Sequence, residues 1–78
     1  MYKEDLKLIR GVLGMTQADF ADALGYSSAY IRDMESGKLD ICLYVHKKIA
    51  RLLQGDAFRE NLDRLDSLWQ ELSQYLRE

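Results

Sequence analysis

The sequence predicts an all-α protein of five helices, and three features of its 78 residues carry that prediction. Apolar residues recur three and four positions apart, the period of helices with one buried face. Gly14, Gly25, Gly37 and Gly55 stand between the apolar stretches, where a helix can stop in a left-handed turn. Thr16, Ser27, Asp40 and Asp56 stand where helix N-termini need a side-chain acceptor, and no proline interrupts the series.

The first helix is expected from Lys3 to Leu13. Leu6, Ile9 and Leu13 share one face, Glu4 and Asp5 suit the positive end of the helix dipole, and Gly14 ends the helix. Thr16 caps a second helix, Gln17 to Leu24, in which Phe20, Ala21 and Leu24 face inward while Asp19 and Asp22 face solvent. Gly25 stops it with φ > 0. Ser27 caps a third helix, Ser28 to Glu35, whose buried stripe is Ile31 and Met34. The short side chain of Ala21 lets the second and third helices approach closely across their three-residue turn. This is a helix-turn-helix by mechanism.

Asp40 is expected to cap a fourth helix through about Gln54, where Ile41, Val45, Ile49 and Leu52 recur at helical spacing and would close the core. Asp56 then caps a long amphipathic C-terminal helix from Ala57 to about Arg77. In it Phe58, Leu62, Leu65, Trp69, Leu72 and Leu76 alternate spacings of four and three, a heptad seam with d at Phe58, Leu65 and Leu72 and a at the other three. At 1.5 Å per residue such a helix extends roughly 30 Å. Leu68 and Tyr75 widen the stripe, so one edge could pack on the protomer's own core while the other meets a partner. The simpler alternative is a helix folded back onto a single protomer.

One domain is expected, with residues 1–54 as a helical core and 56–77 as a dimerisation helix. A chain this short buries a marginal core, so a homodimer is expected on energetic grounds. Hydrophobic residues at 47% and charged residues at 31%, with no apolar run near ~20 residues and no signal-peptide pattern, describe a soluble cytoplasmic protein and exclude a membrane partner. The single cysteine, Cys42, excludes an internal disulfide and fits a reducing compartment. Cys42 and His46 have the spacing of metal ligands on a helix, but no other Cys or His could complete a tetrahedral site, so neither metal nor cofactor is assigned. Without a convergent acid, base and nucleophile, an enzyme is not expected. The net charge of −2 hides an asymmetry: residues 1–54 carry +1 and residues 55–78 carry −3. A mild basic surface around the helix-turn-helix therefore remains available.

Taken together, Thr16-Gln17, Ala21, Gly25, Ser27, Ile31 and Glu35-x-Gly37 resemble the lambda-repressor-like (Cro/XRE-type) helix-turn-helix family of DNA-binding domains, from about Leu6 to Leu53. The resemblance implies double-stranded DNA as partner, with the third helix in the major groove. It also implies that Arg10 pairs with Glu35 and ties the first helix to the end of the third; the alternative is two solvated charges. Ser28, Ala29, Arg32 and Asp33 are then the candidate base contacts. Serine bonds several base edges, alanine touches a thymine methyl, arginine bonds guanine bidentately and aspartate accepts from cytosine. Arg32 could instead meet phosphate or solvent, and Asp33 could be an intrahelical partner or a filter that repels wrong sites.

Thr16, Gln17, Ser27, Tyr30 and Lys38 are candidate phosphate contacts. Gln17 lies at a helix start, where its amide and free backbone N–H groups suit an anion; otherwise it is a plain N-terminal glutamine. Tyr30 is expected to rest its ring at the edge of the first two helices with its hydroxyl free, and Lys38 opens a loop that in similar proteins skirts the DNA backbone. His46, Lys47 and Lys48 form either a minor basic cluster near phosphate or a solvated face. Gly11, about 1 kcal/mol worse than alanine inside a helix, marks close packing, DNA approach or simple tolerance.

A sequence-specific DNA-binding transcriptional regulator follows. Repression or autorepression from an inverted-repeat operator is the expected mode, because the chain has no spare domain for a ligand or for polymerase. The dimer interface is expected on Phe58, Leu62, Leu65, Leu68, Trp69, Leu72, Tyr75 and Leu76, a longer helix than the family usually carries. The alternative is an antitoxin-type interaction module that holds a second protein on this helix, with DNA binding secondary.

Overall fold

The computed structural model describes residues 1–55 and 65–76. Among these residues five α-helices form: α1 Lys3–Val12, α2 Gln17–Leu24, α3 Ser28–Ser36, α4 Leu43–Leu53 and α5 Asp66–Ser73, the last running into a 3-10 turn at Gln74–Leu76.

The first three helices stop by one device. The N–H of Met15 bonds the carbonyl of Arg10 at 3.1 Å, that of Tyr26 bonds Ala21 at 2.8 Å, and that of Lys38 bonds Asp33 at 2.9 Å. Each donor lies five residues after its acceptor, the closure made possible by a left-handed residue just past the helix. Gly25 and Gly37 supply that residue at φ 79° and 87°. At Gly37 a side chain would meet a second obstacle, because a Cβ there would lie 3.3 Å from Lys3 Cδ.

Neither α2 nor α3 has a basic residue in its last turn. The cations that suit their negative ends come from other helices. Lys48 of α4 donates to the Leu24 carbonyl at 3.1 Å, and Lys3 of α1 lies across Gly37. Inside, Leu6 and Ile9 of α1, Phe20, Ala21 and Leu24 of α2, Ile31 and Met34 of α3, and Val45, Ile49, Ala50 and Leu53 of α4 form one core, which Leu65 and Leu72 join from the C-terminal segment. No described helix is long and apolar enough to cross a membrane.

Two boundaries differ from expectation by more than one residue. Cys42, not Asp40, stands at the cap of α4. The N–H groups of Lys38 and Leu39 both bond the Asp33 carbonyl, which draws the chain back over the end of α3 before it can start another helix. Ile41 uses this connection to pack on the core from outside α4.

The second correction concerns the C-terminal helix. Instead of one helix from Ala57 to Arg77, Leu65 has non-helical backbone angles (φ −118°, ψ 23°) and α5 spans only eight residues. Leu65 and Leu72 are buried in the chain's own core, with Leu68, Trp69 and Leu76 packed along its edge. Tyr75 sets its ring 5.0 Å from that of His46. A heptad pattern specifies an apolar face but not what covers it, and here α4 supplies the covering surface. Phe58 and Leu62 of the expected seam lie outside the described residues.

Candidate nucleic-acid interface

The site is built on a buried charge. Glu35, near the end of α3, is 1% exposed. Arg10 reaches it from α1 with two parallel bonds, Nε to Oε2 at 2.8 Å and Nη2 to Oε1 at 3.0 Å, and gives a third bond from Nη1 to the Met15 carbonyl at 3.0 Å. The bond to Glu35 raises the Arg10 pKa, burial opposes it, and the carboxylate charge adds to the rise. The pair expected from the family resemblance is therefore present, and it fixes α1, the α1–α2 turn and α3 in one arrangement.

Gln17 joins the same cluster. Its Nε2, expected as a phosphate donor at the start of α2, donates here to Glu35 Oε1 at 3.3 Å and ties α2 to the same carboxylate. Beside it, Thr16 Oγ1 accepts the N–H of Asp19 at 3.1 Å while Asp19 Oδ2 faces the Thr16 N–H at 3.3 Å. This reciprocal cap stabilises α2 but also sets a carboxylate where an anion would dock.

On α3 the Ser27 hydroxyl accepts the Tyr30 N–H at 3.2 Å, so Ser27 serves first as a cap. Ile31 and Met34 turn inward, and Ser28, Ala29 and Arg32 are exposed. Arg32 Nε lies 3.4 Å from Asp33 Oδ1, with the two side chains 63% and 28% exposed. Of the two roles open to Asp33, that of intrahelical partner is the one seen. Lys38 stands exposed on the loop after α3.

Tyr30 is half-buried. Its ring meets Tyr26 edge-on at 4.8 Å across the turn, and its hydroxyl is coupled electrostatically to the Cys42 thiol. Burial, and then the neighbouring thiol, raise the Tyr30 pKa. The Cys42 pKa is lowered chiefly by the Val45 N–H, against burial, with the Tyr44 N–H and the Tyr30 hydroxyl adding to the lowering. The sequence spacing of Tyr26 and Tyr30 allowed this pairing, but nothing in it pointed to Cys42.

The basic cluster of His46, Lys47 and Lys48 does not assemble on one face. His46 is buried, with Nδ1 2.8 Å from the Cys42 carbonyl. Lys48 is held at the end of α2 and lies 4.2 Å over the Tyr26 ring. Its role was not legible in the sequence, because the Leu24 carbonyl it meets is 24 residues away. Among the described residues no group of three His, Cys, Asp or Glu side chains could hold a metal ion.

Two short capped helices joined by a glycine turn, the second with one face buried and one exposed, define a helix-turn-helix protein. A helix-turn-helix family model, HTH_3, matches residues 6–57, and the chain belongs to that family, the Cro/XRE type. Neither a curated protein nor a solved structure matches the chain. The family is one of DNA-binding transcription regulators, not of enzymes, and this protein is a DNA-binding regulator of that type.

Proposed function

We propose that the protein is a homodimeric, cytoplasmic repressor that occupies an inverted-repeat operator in its target promoter. The observation that carries this reading is the division of α3: Ile31, Met34 and Glu35 hold it to the core, leaving Ser28, Ala29 and Arg32 outward on a rigid helix. Such a face fits the major groove. Ser28, Ala29, Arg32 and Asp33 are proposed at or beside base edges, with Gln17 and Lys38 at the phosphates and the helix caps Thr16 and Ser27 beside them. Tyr30, half-buried beside Tyr26, is proposed at the phosphates next to them.

The dimer contact is proposed on the half-buried edge formed by Leu68, Trp69, Tyr75 and Leu76, because Leu65 and Leu72 already serve the protomer's own core. A two-fold pair would then present two α3 helices to one side of the duplex about 34 Å apart, with half-sites ~10 bp or a multiple apart. Residues 1–54 act as the DNA-binding unit and the segment after them as the coupling element. Light scattering and gel shifts on Leu68→Glu with Trp69→Glu test this. The expected result is a folded monomer with weakened operator binding; a double variant that dimerises and binds normally would place the contact elsewhere. A second reading, an antitoxin-type module, rests on the same Trp69 edge and predicts a distinct protein that co-purifies there in place of a second copy.

A further inference from the structure

Arg32 and Asp33 are adjacent in sequence, so their side chains leave α3 about 100° apart and do not meet without bending. Here Arg32 folds along the helix until its Nε lies 3.4 Å from Asp33 Oδ1. The two partners are unequally anchored. The Asp33 carbonyl receives the N–H groups of Lys38 at 2.9 Å and Leu39 at 3.2 Å and the Ser36 hydroxyl at 3.0 Å, so the aspartate stands on a fixed point of the backbone. Arg32 is a long side chain, 63% exposed, with no other side-chain bond among the described residues. An exposed pair of this kind adds little stability. Its consequence is orientation.

Resting on the reading of α3 as the recognition helix, we propose that Asp33 is a positioning residue that sets base specificity through Arg32. With Nε turned toward the carboxylate, the two terminal amino groups of Arg32 stay free, and that end of a guanidinium bonds guanine O6 and N7. That orientation, set before binding, widens the gap between specific and random binding. Holding one long side chain in place before binding corresponds to about a three- to tenfold change in affinity.

The test compares the wild-type protein with Asp33→Ala, Asp33→Asn, Arg32→Ala and the Arg32→Ala/Asp33→Ala pair, each checked for fold by circular dichroism. Binding is read on a fragment selected by the wild-type protein, on the same fragment with each base pair varied, and on random DNA. Asp33→Ala should lower the specific-to-random ratio about three- to tenfold. The loss should fall at the base pair where Arg32→Ala loses its preference, with Asp33→Asn recovering part of it, and the double variant should match Arg32→Ala alone. An equal loss from Asp33→Ala in the Arg32→Ala background, an equal change on specific and random DNA, or an Arg32→Ala protein with unchanged preference would overturn the proposal. A wild-type protein that prefers no fragment would overturn the underlying reading of function as well.

Discussion

Glu35 takes both arms of Arg10, at 2.8 and 3.0 Å, at a site where the carboxylate is almost sealed from water. Desolvating two charges offsets much of their attraction, so the pair contributes mainly by fixing how α1 meets α3. Removing one partner should be far worse than removing both. Arg10→Met is expected to destabilise the fold by about 3–5 kcal/mol, and Arg10→Met with Glu35→Leu to regain much of it. Small additive effects in thermal melts would contradict the coupling.

Gly11 illustrates the opposite case. It lies inside α1 without a positive φ, and a Cβ built on it meets nothing within 4 Å. Of the explanations open to it, simple tolerance within the fold is the one the packing supports. Gly11→Ala should therefore stabilise the protein by about 0.5–1 kcal/mol through loss of chain entropy. Weaker DNA binding by this variant, with raised thermal stability, would reveal that the glycine lies against the duplex.

Lys48 is expected to act in the fold and not at phosphate. Lys48→Met removes the bond to Leu24 and the contact with the Tyr26 ring, for a loss of about 1–2 kcal/mol. The salt dependence of DNA binding should stay as it was. A slope lower by about one in a log–log plot, with an unchanged melt, would return Lys48 to the phosphate contacts.

Cys42 gives a pH-dependent readout. Its lowered pKa means a larger thiolate fraction at neutral pH, so alkylation should proceed faster than for a cysteine in a short peptide and its rate should rise with pH over a lower range. Tyr30→Phe removes one stabilising donor and should move that profile toward higher pH. An unmoved profile would show that the backbone N–H groups of Val45, Tyr44 and Cys42 itself account for the shift without Tyr30.

How far the sequence could be read depended on the range of the interaction. The caps at Thr16 and Ser27, the glycine stops and the inner faces of α1 to α3 are local, and local chemistry wrote them into residue spacing. The Arg10–Glu35 pair needed the family resemblance, since 25 residues separate its partners. Lys48 at the end of α2 and the coupling of Cys42 with Tyr30 depend on where α4 packs, which no periodicity encodes. The C-terminal stripe is legible as apolar, but the break at Leu65 is not, because a seam that closes on α4 and a seam that closes on a partner share one pattern. The outward residues of α3 follow from its having a buried face, but the Arg32–Asp33 contact follows only from side-chain conformation.

The most direct test of sequence-specific recognition by α3 is selection of bound fragments from host DNA by the wild-type protein and by Arg32→Ala in parallel. The wild-type protein should enrich one inverted repeat with half-site centres ~10 bp apart or a multiple, and Arg32→Ala should lose preference at one position in each half-site, at a cost of about 1–3 kcal/mol there. A wild-type pool no different from random DNA, or identical motifs from both proteins, would contradict it.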